Sequence, residues 1–316
     1  MKTRLSIKKP TTPVDNKRIW LFSLLSLVAG YCYAEQPTSN IYLGQVDRSD
    51  NGIKVVDVVA VTDNPEYTNQ PYFFDEGTLY YTQEIKENDA SQTDIFKYDI
   101  AEKSSSNVTQ SIESEYSPTP MMDGTGFSVI RVNGDDKQEL WKIGFDGQTK
   151  MHLVPAIEPV GYHAWTREDK LLLFVLGEPH ELVLADPARP DEEGLQIATN
   201  IGASIFEMPL TLGHTYTIED EKGAAPLFWF DPYSNSTVNI GSLPNNAKYY
   251  AWSSRAELFT TDNNKLVTMP FIVNGQEIIY TAYSKVQVDS PHCQSGISRI
   301  ALSPYNDKIA LVCHQK

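Results

Sequence analysis

Cysteine is scarce in this sequence, with three residues among 316. One of them, Cys32, falls in an N-terminal segment that we expect to be removed, so Cys293 and Cys313 remain. Neither lies in a Cys-x-x-Cys motif, which argues against a thiol redox centre or a structural zinc site. Because an even pair of cysteines in an oxidising compartment usually forms a disulfide, we predict a Cys293–Cys313 bond. Two buried free thiols are the alternative.

Short catalytic motifs are also lacking. The sequence has no Gly-x-Ser-x-Gly nucleophile elbow, phosphate-binding loop, dinucleotide fingerprint or His-Glu-x-x-His metal motif. We therefore predict that the protein has no cofactor and no metal site, and we assign no catalytic residue. Function is inferred from the architecture instead.

Positive charge is scarce outside the N-terminal segment. Residues 1–34 carry six Lys and Arg and one Asp, whereas residues 35–316 carry 20 basic and 40 acidic side chains. Nucleic acids and anionic membrane surfaces both attract basic patches. We therefore expect neither of them as a partner.

Long apolar runs are absent apart from one at residues 20–29. This run is shorter than the roughly 20 residues that span a bilayer. Its basic flank and the small residues up to Ala34 are typical of a secretory signal peptide. We predict a signal peptide at residues 1–34 and a periplasmic protein without an integral membrane segment after cleavage. An uncleaved N-terminal anchor is the alternative.

One short phrase recurs six times, at intervals of 43 to 50 residues. Each copy joins a Pro, aromatic or small residue to a turn and then to a run of β-branched and aromatic residues. Repetition at this period is typical of a β-propeller, in which four-stranded antiparallel blades surround a channel. We place the starts of the six innermost strands near Pro71, Pro118, His163, Glu207, Tyr250 and Ile300.

The two ends of the chain predict how the ring closes. Residues 298–303 and 309–313 supply a first and a second strand, whereas residues 41–46 and 54–62 resemble a third and a fourth. Together they complete one blade, which removes a free sheet edge. We therefore predict an all-β protein whose single domain, residues 35–316, is a six-bladed propeller closed by its N-terminal strands.

The repeat also carries a family resemblance. Residues 117–131, with the sequence SPTPMMDGTGFSVIR, and residues 251–253 and 301–304 resemble the Pro-Asp-Gly-centred repeat of bacterial TolB-like, WD40-like propellers. The resemblance implies a periplasmic propeller that contacts other proteins, and it brings no catalytic residue. TolB itself carries an N-terminal α/β domain before its propeller, for which this sequence leaves no room between the predicted signal and the first full blade.

The predicted register brings several polar and aromatic residues to one rim of the channel. Our candidate binding residues there are Tyr67, Glu115, Tyr116, Arg131, Tyr162 and His163. We assign the three tyrosines to exposed connecting loops. His163, at the first position of an inner strand, would contact a ligand or carry a proton, unless it is hydrogen-bonded between blades. Arg131 would bind a carboxylate or sugar acid through two nitrogens, unless it pairs with Glu113 or Glu115.

Two functions fit these features. The first is a non-enzymatic scaffold that binds another envelope protein or a peptide across the loop-rich face of the channel. The alternative is a glycan lyase or hydrolase that uses His163 and Arg131, with or without a metal. Histidines from opposite blades would hold such a metal, namely His163, His180, His292 and His314.

Overall fold

A computed structural model describes residues 38–50, 52–87, 90–219, 223, 225–244, 247–275 and 277–315. The predicted signal peptide at residues 1–34 lies outside these ranges. Within them the chain is built from β-strands and turns, and no helix suited to crossing a membrane is found. The first two strands are β1 (Ser39–Ser49) and β2 (Gly52–Ala60), which belong to the last blade of the ring.

The next three blades are four-stranded antiparallel sheets formed by consecutive strands. Blade 1 contains β3 (Thr68–Phe73), β4 (Thr78–Glu87), β5 (Ala90–Asp99) and β6 (Ser104–Asn107). Blade 2 contains β7 (Ser114–Pro120), β8 (Gly126–Val132), β9 (Gln138–Gly144) and β10 (Thr149–His152). Blade 3 contains β11 (Val160–Trp165), β12 (Leu171–Val175), β13 (Glu181–Ala185) and β14 (Leu195–Thr199).

Blades 4 and 5 follow the same order. Blade 4 contains β15 (Phe206–Glu207), β16 (His214–Thr217), β17 (Ala225–Asp231) and β18 (Ser236–Leu243). Blade 5 contains β19 (Ala251–Trp252), β20 (Glu257–Asp262), β21 (Lys265–Asn274) and β22 (Glu277–Tyr280), with β23 (Ser284–Lys285) also paired to β21.

Blade 6 joins the two ends of the described chain. It contains β25 (Ile297–Leu302) and β26 (Lys308–His314), followed by β1 and β2, with the short β24 (Gln287–Val288) on the outside. The pairing of β1 with β26 runs from Ser39 opposite His314 to Gln45 opposite Lys308. The six-bladed fold and its closure by N-terminal strands are therefore confirmed.

The predicted disulfide lies in this closing blade. Cys293 and Cys313 are bonded, with their Cα atoms 5.0 Å apart. Cys313 pairs with Ile297 in the sheet, and both cysteines are buried. The bond therefore ties the segment that leads into β25 to the strand that receives β1.

Five of the six predicted strand starts lie inside or at the end of the inner strand, which corrects our prediction, whereas Tyr250 comes directly before β19 as expected. His163 is the fourth of six residues in β11, and Glu207 is the last residue of β15. Each inner strand ends at the turn that connects it to the second strand of its blade. In blade 5, for example, Ser253 N donates a hydrogen bond of 2.8 Å to Glu257 O across this turn. The conspicuous small and polar residues belong to this turn.

The apolar core lies between neighbouring blades. Because both faces of a blade are covered, its middle strands are almost continuously apolar, and four of the five residues of β12 are buried. At the closure, Ile41 and Val312 of blade 6 pack with Leu79 of blade 1. Burying each such side chain contributes about 1.5–3 kcal/mol, so the ring is stabilised mainly by contacts between blades.

Candidate binding site at the channel

An arginine and a tyrosine from opposite blades meet across the channel. Arg299 lies on β25 of blade 6, and Tyr162 lies on β11 of blade 3. Arg299 Nη2 donates a hydrogen bond of 3.1 Å to the Tyr162 hydroxyl, and Arg299 Cζ lies 5.2 Å from the centre of the Tyr162 ring. Blades 3 and 6 stand three apart in a ring of six, so this contact spans the channel.

Other tyrosines complete a cage around the guanidinium. Tyr249, just before β19 of blade 5, has its ring centre 4.0 Å from Arg299 Cζ. Tyr67 interacts electrostatically with Arg299, Tyr162 and Tyr249, and Tyr116 joins the group through its interaction with Tyr67. We name these five residues, Tyr67, Tyr116, Tyr162, Tyr249 and Arg299, the arginine cage.

The tyrosines of the arginine cage differ in the direction in which their pKa values are shifted. Burial raises the pKa of the Tyr67 hydroxyl and of the Tyr249 hydroxyl. Burial also acts to raise the pKa of Tyr162, but the charge of Arg299 and hydrogen bonds outweigh it, so the pKa of Tyr162 is lowered. Burial acts to lower the pKa of Arg299, but the tyrosine oxygens outweigh it and the pKa is raised. The arginine therefore keeps its positive charge.

Among the described residues, this positive charge has no carboxylate partner. Within the described part of the chain, no ion pair includes Arg299. Its Nε atom is also buried without a hydrogen-bond partner. A buried cation is costly unless an anion or several acceptors compensate it. The cage therefore offers a place for an anionic group.

Two bulged inner strands support the cage. Gln70 in β3 and Ser117 in β7 both have positive φ, 56° in each case, next to a register shift in their strands. The Gln70 side chain accepts a hydrogen bond of 2.9 Å from Ser117 N and one of 2.8 Å from Thr82 Oγ1. It also hydrogen-bonds to the Tyr162 side chain. Non-glycine residues held at positive φ mark places where surrounding contacts impose a conformation, here at the channel lining.

The structure brings together some of the sequence-predicted residues. Tyr67, Tyr116 and Tyr162 all belong to the arginine cage, but they are less exposed than we expected. Tyr116 and Tyr162 lie within strands and are half-buried, and Tyr67 is 7% exposed. They line the channel because the inner strands extend further toward this face than the recurring phrase suggested.

Arg131 and Glu115 lie in blade 2 and are paired with one another. Arg131 donates to a Glu113 carboxylate oxygen through Nη2, and its Nε lies 3.8 Å from Glu115 Oε1. Its Cζ also lies 5.4 Å from the centre of the Trp141 ring. The structure therefore places Arg131 in the ion pairs that we gave as the alternative to ligand binding.

His163 lies between blades. It is 8% exposed, and its Nε2 is 2.6 Å from Ser128 Oγ of blade 2. Burial lowers the pKa of His163 to about 3, so the imidazole is neutral at neutral pH. These contacts correspond to the interblade alternative.

The histidines proposed as a metal site are dispersed. His163 contacts Ser128, and His180 packs against Phe174 with ring centres 4.7 Å apart. His292 and His314 line a cavity of about 460 Å³ beside the closing blade. Among the described residues, none of the four belongs to a group of three potential ligands whose atoms lie within 4.8 Å of one another.

Arg299 and Tyr249 were missed by the sequence analysis, although a positional signal exists. Tyr162, Tyr249 and Arg299 each stand three residues before the last residue of their inner strand. The same three residues also come directly before the strand starts that we predicted at His163, Tyr250 and Ile300, so the repeat alignment already brought them to one position of the blade.

Comparison with known proteins identifies the fold. No protein-family model matches the chain, and no curated protein sequence matches it. Among solved structures, a putative TolB from Agrobacterium tumefaciens is similar, with a TM-score of 0.60 and 12% identity over 88% of this chain and 99% of that one.

Two further structures are similar at lower TM-scores. TolB from Acinetobacter baumannii has a TM-score of 0.50 and 10% identity over 88% of this chain and 64% of that one. A putative oxidoreductase (glucose dehydrogenase) from Thermus thermophilus has a TM-score of 0.51 and 8% identity over 77% of this chain and 95% of that one. At these identities the similarity concerns the fold alone: the chain has a six-bladed β-propeller fold that is similar to the propellers of the TolB structures.

Proposed function

We propose that this protein is an exported, non-enzymatic scaffold that binds a protein or peptide at the channel face. The observation that carries the proposal is the arginine cage in the channel, whose cation has no carboxylate partner in the part of the chain that the structure describes. A carboxylate from an Asp or Glu side chain, or from a chain terminus, would complete it. The TolB-like fold agrees with a binding role, since such rings present many loops on one face.

The chemistry of the cage suits a peptide carboxylate. A guanidinium binds a carboxylate through two parallel hydrogen bonds, and among the described residues the buried Nε of Arg299 has no hydrogen-bond partner. Tyrosines add apolar contact area and hydroxyl groups at small entropic cost, which is why they are enriched at binding surfaces. Tyr116, Tyr162 and Tyr249 are only half-buried, so a ligand can reach them from the channel.

We further propose that the protein acts in the periplasm. Disulfides persist in oxidising compartments, and the Cys293–Cys313 bond is consistent with export. The predicted signal peptide at residues 1–34 would direct that export. A partner in the same compartment, an envelope protein or a peptide, fits this location.

A peptide array tests the proposal. Purified protein is applied to an array of random peptides, and bound sequences are remade with Asp and Glu replaced by Asn and Gln and with amidated C termini. We expect binding to be lost when the carboxylate is removed. We also expect it to weaken in Arg299→Lys, which keeps the charge but not the paired donors, and in Tyr162→Phe, which removes one hydroxyl.

Matched variants control for general effects. Arg255→Lys and Tyr305→Phe change an exposed arginine and a tyrosine that is 77% exposed, both outside the cage. Binding that is insensitive to Arg299→Lys and Tyr162→Phe, or equally sensitive to the control variants, would contradict the proposal. So would an array without any bound peptide.

The enzymatic alternative has less support. A glycan lyase or hydrolase using His163 and Arg131 needs both side chains to face a substrate. His163 is buried against Ser128, and Arg131 is engaged by Glu113 and Glu115. The oxidoreductase-like neighbour shares only the fold at 8% identity. We therefore rank binding first.

A further inference from the structure

A second cluster of potential ligands lies on the outer part of blade 2, in a group of residues separate from the arginine cage. Glu139 lies on β9, His152 on β10, and Glu158 on the connection that leads to blade 3. One ligand atom from each lies within 4.8 Å of the others. The geometry points to a binding site for a divalent transition-metal ion, with Zn²⁺ as the reference ion, held by these three side chains.

The contact between His152 and Glu158 is only slightly longer than the spacing of two ligands of one ion. His152 Nε2 is buried, has no hydrogen-bond partner among the described residues, and lies 3.8 Å from Glu158 Oε1. This separation is too long for a hydrogen bond. Two ligands that each bind zinc at about 2.0–2.2 Å with near-tetrahedral angles stand about 3.3–3.6 Å apart. A small rotation of either side chain brings both atoms onto one ion.

The third carboxylate is already oriented by neighbouring donors. Glu139 Oε1 accepts a hydrogen bond of 2.9 Å from Asn133 Nδ2, and Oε2 accepts one of 2.7 Å from Trp141 Nε1. The Trp141 ring also stacks on the His152 imidazole, with centroids 5.0 Å apart and planes at 18°. Such outer contacts fix ligand orientation at metal sites, and here one tryptophan holds two of the three ligands.

The donor set selects the class of ion. One imidazole nitrogen and two carboxylates suit Zn²⁺, Ni²⁺ or Cu²⁺, whereas Ca²⁺ prefers six to eight oxygen ligands. Three protein ligands leave one position of a tetrahedron for water or another ligand. Bound metal would join β9 and β10 to the connection before blade 3.

A lysine competes with the ion for one ligand. Lys137 Nζ lies 3.8 Å from Glu158 Oε2, and its side chain is 59% exposed. This ammonium repels a dication and occupies one carboxylate. Removing it should therefore tighten metal binding, an effect that a simple surface ion pair among these residues does not predict.

Calorimetric titration of the untagged, EDTA-treated full chain with ZnCl₂ tests the inference. We expect one equivalent of Zn²⁺ per chain and tighter binding in Lys137→Met. Affinity should fall in His152→Gln and in Glu158→Gln by at least the roughly 10- to 100-fold that loss of an outer partner of a ligand costs. His292→Gln, which changes a histidine at the closing blade, should bind as the wild type does. Circular dichroism of each variant reports that the fold is retained.

Several outcomes would overturn the inference. These are the absence of saturable Zn²⁺ binding, binding that is unchanged in both His152→Gln and Glu158→Gln, and binding lost in His292→Gln instead. A Ca²⁺ titration that gives the same affinity as Zn²⁺ would also contradict the assigned class of ion. None of these results bears on the arginine cage, so failure here leaves the peptide-binding proposal unaffected.

Discussion

Glu115 should make the stability of the ring depend on pH. Its side chain in β7 is fully buried, and Oε1 accepts a hydrogen bond from Ser111 Oγ. Oε2 is buried and has no hydrogen-bond partner in the part of the chain that the structure describes. Burial raises the pKa of this carboxyl to about 7, although hydrogen bonds from Ser111 and Thr109 act to lower it. The ordinary value is 4.5, so the folded protein binds this proton more tightly than the unfolded chain does.

The sign and size of the effect follow from this difference. Because the folded-state pKa is raised, the contribution of Glu115 to stability is fully present below pH 4.5 and is lost as the pH rises through about 7. A difference of this size corresponds to about 3 kcal/mol in the free energy of unfolding. At pH 8 the wild type carries a buried carboxylate whose only nearby cation among the described residues is Arg131, 3.8 Å away.

Urea unfolding of the wild type and Glu115→Gln between pH 4.5 and 8 measures this contribution. The amide does not titrate, so the variant should gain about 3 kcal/mol relative to the wild type across this range. Comparing the two proteins at each pH cancels the contribution of other groups. Glu113→Gln controls for loss of a charge beside Arg131. A difference between wild type and Glu115→Gln that stays constant with pH would refute the reasoning.

Three further predictions concern stability. The Cys293→Ser/Cys313→Ser double variant should lose about 3 kcal/mol, as expected for a disulfide with a sequence separation of 20; urea unfolding measures this, and stability equal to that of the oxidised wild type would contradict it. Burial lowers the pKa of His163 to about 3, so stability should fall as the pH drops from about 6.5 toward 3; thermal unfolding between pH 7 and 4 should show less acid sensitivity in His163→Gln, and an unchanged acid dependence would argue against it. Gly126→Ala would place a Cβ 2.1 Å from the Ile143 carbonyl oxygen and should lower the Tm, whereas Gly134→Ala meets nothing within 4 Å; equal Tm values for these two variants would disprove the predicted clash.

The architecture could be predicted because it depends on periodic features of the sequence. Each blade repeats the same order of strand, turn and apolar run, and incomplete halves at the two ends of the repeat complement each other. The disulfide followed from two cysteines in that same closing blade. Such features are local in the sequence, or they repeat often enough to define which residues of each blade correspond.

The binding site was less predictable because it depends on which residues meet across the ring. Arg299 occurs in the last copy of the repeat, and nothing near it in sequence indicates Tyr162, which lies 137 residues away. The interblade position of His163 depends on Ser128 of the neighbouring sheet. Glu115 and Arg131 lie opposite each other on adjacent strands, but sequence does not reveal how deeply such a pair is buried.

Because β1 pairs with β26, the closing blade can form only after β26 has been synthesised. Blades 1 to 5 are each formed by neighbouring segments and can pair as they emerge, but β1 must wait for a partner that is made roughly 270 residues later. During this interval the β1–β2 hairpin presents an open hydrogen-bonding edge, which is a template for wrong association. Completion of the ring would then depend on one late event, the arrival of residues 308–314 at β1.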